Sequence, residues 1–211
     1  MRNFILLFAL SLAFFLPVSS YAAPGNDICS NATPLVPGTT CSNTRGNLYQ
    51  ATNEGTVTST CGTTSDVWYK FTVPSNAALT TITVDMDNGN TATSTNTYLD
   101  VFNANSCGSV STATSLGCSG VASATNLSLA PGTYYCRVFT TASTGGNSGK
   151  YGFNICVTYT PPPANDECTG AVTLISNTNC SNTTSSLLYA TISAGTPAGC
   201  APAGNLYDVW F

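Results

Sequence analysis

Along residues 80–86, Thr-Thr-Ile-Thr-Val-Asp-Met, apolar and polar positions alternate with period two. Ile82, Val84 and Met86 take one side, and Thr81, Thr83 and Asp85 take the other. That is the pattern of a strand with one face in a core. Four more runs read as strands. Residues 67–73 are closed by Pro74, and 97–102 follow a polar loop. Residues 133–139 follow the turn Ala130-Pro131-Gly132, and 151–157 follow Gly145-Gly146-Asn147. Residues 48–57 read as a further strand with its turn. The chain has no long helical period. One helical turn is predicted over 27–35, with Asn26 or Asp27 as its cap, Cys29, Ala32 and Leu35 on one face, and Pro34 near its end. Short strands at this spacing, separated by Gly/Pro/Asn turns, predict an all-β sandwich. Alternation puts Val67, Tyr69 and Phe71 on one face and Trp68 and Lys70 on the other, and Trp68 is expected in the packing.

The pattern then repeats. Asn26-Asp27-Ile28-Cys29 is matched by Asn165-Asp166-Glu167-Cys168 at an offset of 139, which also carries Cys41-Ser42-Asn43-Thr44 onto Cys180-Ser181-Asn182-Thr183, Ala51-Thr52 onto Ala190-Thr191 and Cys61 onto Cys200. After three inserted residues, Asp66-Val67-Trp68-Tyr69 returns as Asp208-Val209-Trp210-Phe211. A period of about 140 residues is well above the roughly 20–50 of solenoids and propellers, so each copy is expected to be a whole domain. The expected organisation is a first module over 24–159, a stiff Pro-rich linker over 160–164 and the N-terminal part of a truncated second module over 165–211. That second part is expected not to fold by itself.

Arg2, the apolar run 4–16 and the small residues Ser19, Ser20 and Ala22 form a secretory signal over residues 1–22, with cleavage after Ala22. The run is shorter than the ~20 residues that span a bilayer. No later segment could span one either. The mature chain carries Arg45, Lys70, Arg137 and Lys150 against nine acidic residues, a net charge of −5. It therefore lacks the basic patch that a nucleic-acid partner requires. Secretion also sets the state of the ten cysteines. With no Cys-x-x-Cys pair and no histidine, disulfides are expected rather than a structural metal.

Asn-Asp-x-Cys-x-x-Ala at 26–32, Cys41, Cys61, Asp-Val-Trp-Tyr-Lys-Phe at 66–71, Cys107-Gly108, Cys118-Ser119, Leu-Ala-Pro-Gly-Thr-Tyr-Tyr at 129–135 and Phe-Asn-Ile-Cys at 153–156 together resemble a cysteine-containing repeat module. Such modules occur in secreted and surface bacterial proteins, are related to the bacterial pre-peptidase C-terminal domain, and are frequent in type IX-secreted proteins. The resemblance implies an antiparallel, jelly-roll-like β-sandwich, disulfide-stapled and repeated in tandem, with an accessory or adhesive role and no catalytic residues. This chain departs from the family at Cys136, where an aliphatic residue is usual.

Without histidine there is no Ser-His-Asp triad, Cys-His pair or His-based zinc site, and no enzyme is expected. Asp85, Asp87 and Asn90, in Asp-Met-Asp-Asn-Gly-Asn, are the best candidates for a cation, namely Ca²⁺. Their glycine and acidic spacing fail the EF-hand pattern, and Asn-Gly is ordinary turn chemistry. No cofactor is otherwise implied. Asp66 beside Trp68 offers a carboxylate paired with an ion or a buried donor next to an exposed aromatic for sugar stacking, against the expectation that Trp68 lies in the packing. Tyr134 fits a tyrosine corner. For the disulfides, spacing suggests local loops Cys41–Cys61 and Cys107–Cys118. Cys29–Cys156 would then tie the ends together and leave Cys136 a buried free thiol, with Cys136–Cys156 as the rival.

Two functions follow. One is a structural or adhesive module, secreted or at the cell surface, whose partners are an extracellular protein or polysaccharide and neighbouring modules of the same chain. The other is a carbohydrate-binding accessory domain of a secreted hydrolase or peptidase. Two or three exposed aromatics in a row on one sheet face would favour the second, and burial of Trp68, Tyr69 and Phe71 the first.

Overall fold

The computed structural model describes residues 22–55, 57, 61–62, 65–87, 96–113, 115–121, 124–142, 144, 151–192 and 207–211. The signal sequence, Asn90 and Cys200 lie outside them. The strands are β1 (Thr33–Pro34), β2 (Thr44–Asn47), β3 (Ser65–Val73), β4 (Leu79–Met86), β5 (Thr97–Asn103), β6 (Ser115–Gly120), β7 (Thr125–Leu127), β8 (Gly132–Thr140) and β9 (Gly152–Thr160), with a short helix α1 (Cys107–Val110). They form a five-stranded sheet of order β1-β3-β8-β5-β6 and a four-stranded sheet of order β2-β9-β4-β7. The fold is a β-sandwich, and every pairing is antiparallel except β1 on β3, which is parallel.

The core lies between the sheets. Val67, Tyr69, Phe71 and Val73 of β3 and Tyr134, Cys136 and Val138 of β8 face Ile82 and Val84 of β4 and Phe153, Ile155 and Val157 of β9. Each fully buried side chain of this kind contributes about 1.5–3 kcal/mol. The opposite face of the five-stranded sheet is also covered. Trp68, Phe102 and Tyr135 pack there beneath Cys29 and Ala32 of the N-terminal strap and Val110 of α1. Burial on both faces explains why β3 and β8 read as nearly continuous apolar runs while β4 alternates. At Gly46 of β2 a Cβ would collide with the Phe153 ring and the Tyr69 hydroxyl, so only glycine lets the two sheets close at that point.

Three local expectations are corrected. The turn predicted over 27–35 is a single 3₁₀ turn, Cys29–Asn31, capped at Ile28 without a side-chain bond. Asn26 and Asp27 spend their side chains on Trp68 and Thr52 instead. Cys29 and Ala32 enter the outer cluster while Leu35 enters the inter-sheet core, so they do not share a face. The strand expected over 48–57 is not formed among the described residues there: β2 ends at Asn47, and the chain then turns through Gln50 at φ 60°. β9 runs on through Tyr159 and Thr160, one residue past the expected end of the first module at 159.

Candidate functional site

The densest constellation of charge sits on the covered face of the five-stranded sheet. Register sets Arg137 of β8 between Trp68 of β3 and Asp100 of β5, with Asp66 two residues before Trp68 on the same face. All four side chains are buried. Arg137 Nη1 donates to Asp66 Oδ2 at 3.0 Å and Nη2 to Asp100 Oδ2 at 3.3 Å, and the Ser115 hydroxyl donates to Asp100 Oδ1. The guanidinium carbon lies 5.0 Å from the Phe139 ring centroid and 5.6 Å from those of Trp68 and Phe102, so aromatic faces supply much of its solvation. One cation thus faces two carboxyl groups in a site closed to water. Burial pushes the Asp66 carboxyl up to about 6; Arg137 opposes the rise, and Glu54 and Asp27 add to it.

The strap that closes this site is sewn to β3 through the backbone. The Trp68 amide donates to the Asn26 carbonyl at 2.8 Å, and Asn26 Nδ2 returns a bond to the Trp68 carbonyl at 2.9 Å. Asp27 accepts from both the amide and the hydroxyl of Thr52, whose carbonyl accepts from the Asp66 amide. A cavity of about 260 Å³ lies on the seam between strap and α1, lined by Cys29, Glu54, Val57, Cys107 and Val110. Glu54 in it already accepts from the Cys29 amide at 2.9 Å. Chemically, the Asp66–Arg137–Asp100 cluster braces three strands and presents nothing to a ligand. Asp66 was identifiable in the sequence as the partner of a buried donor; Arg137, 71 residues away, was not. The signal was a charged residue inside the apolar run Tyr-Tyr-Cys-Arg-Val-Phe.

The accessible polar groups lie on the outer face of the four-stranded sheet. Arg45 of β2, Asn154 of β9 and Asp85 of β4 occupy one row across three strands. Exposed Arg45 pairs with Asp87, Nη2 to Oδ2 at 2.6 Å. Gly152 makes room for that pair, since a Cβ there would strike the Asp87 carboxylate. Of the calcium candidates, Asp87 is held by this guanidinium, Asp85 is exposed, and Asn90 lies outside the described residues. Among the described residues no three acidic, thiol or imidazole groups converge as metal ligands. Thr81 bonding to Asn126 continues the polar surface. It is rich in planar donors and acceptors, and among the described residues it carries no aromatic row.

The disulfides differ from the pairs suggested by spacing. Cys29 bonds Cys107, Cys41 bonds Cys156 and Cys61 bonds Cys118, with Cα separations of 5.6, 5.5 and 6.2 Å. Sheet order explains the change. Cys41 leads into β2, which pairs with the Cys156 strand, and Cys107 opens α1, which lies over the same face as the strap. Cys136 is a buried free thiol in the inter-sheet core, and burial drives its pKa far above the usual thiol range. Alternation along β9 turns Cys156 toward the opposite face of the other sheet, which excludes the rival Cys136–Cys156 bridge. The Tyr134 hydroxyl donates to the Ala130 carbonyl at 2.9 Å, the backward bond of a tyrosine corner.

The second stretch rebuilds the strap. Asn165 and Trp210 exchange the bonds made by Asn26 and Trp68, Asp166 accepts from the amide and hydroxyl of Thr191, and Tyr189 takes the positive φ of Gln50. The 3₁₀ turn Cys168–Gly170 matches Cys29–Asn31.

A profile of galactose binding domain-like modules associated with type IX secretion matches residues 25–155. Among solved structures, the pre-peptidase C-terminal domain of a collagenase from Bacillus anthracis is similar at 16% identity, covering 60% of this chain and 93% of that one, with a TM-score of 0.38. PliG from Aeromonas hydrophila, a periplasmic inhibitor of g-type lysozyme, is similar at 11% identity, covering 60% and 96%, with a TM-score of 0.33. No curated protein sequence matches the chain.

Proposed function

Because the chain belongs to the family of galactose-binding-like domains associated with type IX secretion, we propose that it is a non-catalytic accessory module of a secreted or cell-surface protein. Its role on this reading is structural or adhesive, and it is exported by removal of residues 1–22. Residues 24–159 form one module, and 165–211 begin a second, spaced from it by the proline linker. The observation that carries this reading is the burial of Trp68, Tyr69 and Phe71, which removes these three rings from any exposed aromatic platform, while the buried charges brace β3, β5 and β8. Three disulfides suit an oxidising, extracellular setting.

The row of Arg45, Asn154 and Asp85 with Asp87 supports a second reading, a carbohydrate-binding accessory domain, because such groups offer paired hydrogen bonds to vicinal hydroxyls. Calorimetric titration of the chain with galactose and with soluble polysaccharides separates the two. The structural reading expects no saturable heat, together with recovery of the protein outside the cell. Saturable binding that Arg45→Ala abolishes would replace it with the second reading.

A further inference from the structure

Asp66 is the less well satisfied of the two carboxyl groups that share Arg137. Asp100 receives a donor on each oxygen, Arg137 Nη2 on one and the Ser115 hydroxyl on the other. Asp66 receives Arg137 Nη1 on Oδ2 alone, and its buried Oδ1 meets no donor among the described residues. A buried carboxylate is costly unless its oxygens are paired, whereas the protonated acid carries no charge to desolvate. The charged neighbours of Asp66 are Arg137 of β8, Asp100 of β5 and, from the strap side, the acids Asp27 and Glu54. Burial raises its carboxyl to about 6, Arg137 opposes the rise, and Glu54 and Asp27 add to it.

The same acids take part in closing the strap, residues 24–32, over this cluster. Asp27 accepts from the Thr52 amide and hydroxyl, and Glu54 accepts from the Cys29 amide. The Asp66 amide donates to the Thr52 carbonyl and the Trp68 amide to that of Asn26, so the strap side covers the edge of β3 on which Asp66 lies. Regular structure adds little here, since the strap holds a single 3₁₀ turn and Ile28 is exposed. The Cys29–Cys107 disulfide ties the strap to α1, so residues 24–28 can leave β3 without the strap being lost. A charge on Asp66 can therefore be relieved in two ways. The carboxyl can take a proton, or the strap can lift, which admits water to Oδ1 and carries the Asp27 charge away.

We propose that Asp66 is a proton-operated latch on the strap: with the carboxyl protonated the strap stays closed over Trp68, and ionisation releases residues 24–28 from β3 while Cys29–Cys107 holds them near. The sign follows from linkage. The closed form binds the proton more tightly than the open form, in which water solvates the carboxylate, so closure is fully present at pH below the ordinary carboxyl range. It weakens as the pH climbs toward about 6 and changes little beyond, where the proton has left both forms. What the latch uncovers is the face that carries Trp68, Phe102 and Tyr135, the apolar cluster beneath the strap. The rest of the sandwich is untouched, because its core lies between the sheets on the other side of β3.

Amide hydrogen exchange of the disulfide-intact chain, followed by NMR from pH 4 to 7 and corrected for intrinsic rates, tests the latch. The Trp68 and Asp66 amides should lose protection by about tenfold or more between pH 4 and 7 and exchange faster than the amides that pair β9 with β4. Asp66→Asn should hold the protection of both strap-facing amides level across that range. Glu54→Gln keeps an oxygen for the Cys29 amide but removes a strap-side charge, so it should shrink the loss; it also serves as the reading if the first variant does not fold. Exchange at Trp68 no faster than in β9 at every pH would mean opening only by global unfolding and would overturn the proposal. So would level protection in the wild type, or a pH dependence that Asp66→Asn leaves unchanged. Sugar titration and export do not depend on the outcome, so failure here is distinct from failure of the accessory-module reading.

Discussion

Replacing Asp66 with asparagine tests whether the buried cluster contains one charge too many. Burial raises the Asp66 carboxyl from 3.8 to about 6 against the pull of Arg137, so the folded state holds its proton more tightly than the unfolded chain does. The sign follows from linkage. For an acid whose folded pKa is raised, the associated stability is fully present below pH 3.8 and is lost as the pH climbs through about 6. A displacement of roughly two pH units at 1.36 kcal/mol each makes the loss about 3 kcal/mol at pH 7. Asparagine keeps an oxygen for Arg137 Nη1 and carries no charge, as the protonated acid does. Asp66→Asn should therefore match the wild type near pH 4 and exceed it by up to about 3 kcal/mol at pH 7.

Urea unfolding of the disulfide-intact chain at pH 4, 5, 6 and 7 measures this directly. With an m value of about 1–3 kcal/mol/M, the midpoint of the variant should rise above that of the wild type by about 1–3 M at pH 7. Other carboxylates add their own pH dependence, so the quantity to follow is the difference between the two proteins. That difference should grow by about 1.4 kcal/mol per pH unit between pH 4 and 6. A flat difference, or a variant weaker than wild type by 2 kcal/mol or so at pH 7, would show that Arg137 needs both charges and that the reasoning is wrong.

Arg137→Met removes the guanidinium that pairs with Asp66 and Asp100 and should destabilise the fold by about 3–5 kcal/mol at pH 7, read as a urea midpoint. Gly46→Ala forces a methyl against Phe153 and Tyr69 and should lower stability by about 1–3 kcal/mol in the same assay. Cys136→Val should stay within about 1.5 kcal/mol of wild type, and the native Cys136 thiol should resist aromatic disulfide reagents until the chain is unfolded; labelling in the folded protein would contradict its burial. N-terminal sequencing of exported protein should begin at Ala23 or within a residue or two of it, and an intact Met1 would exclude export by signal cleavage.

The strands β3, β4, β5, β8 and β9 are legible in the sequence because each is long enough for its pattern to outweigh local propensity, and turn residues bound them. β1 is not: two residues, one of them proline, become a strand only because the strap is pinned to β3 in register with Tyr69 and Lys70. Helix α1 is equally hidden, four residues held by a Ser106–Ser109 capping box rather than by an apolar period. The disulfides were misassigned for a related reason. Spacing favours short loops, whereas the sheet order brings Cys41 beside β9 and the strap beside α1, and neither neighbour can be seen until the strands are paired. Trp68 shows the limit from the other side. Its alternation opposite Tyr69 marks it for the outer face, where a tryptophan invites a sugar; the strap that buries it there is 42 residues upstream.

What the two copies share bears on this last point. Among the residues repeated at offset 139 and after the three-residue insertion, Asn26, Asp27, Thr52, Asp66 and Trp68 make the hydrogen bonds where the strap meets β3. An amide buried there without a partner would cost on the order of 1–3 kcal/mol, and several converge in a few ångströms. Asn26 donates to the Trp68 carbonyl and Asp27 accepts from the Thr52 amide, so each can be replaced only by a side chain of like reach and polarity. The polar row on the opposite sheet carries no such duty: Arg45 and Asp87 hold each other in solvent, where an ion pair is worth little to stability. The repeated signature therefore identifies the scaffold. The polar groups on the outer face of β2, β9 and β4 are bound by no such backbone duty, so substitutions there should leave the fold standing.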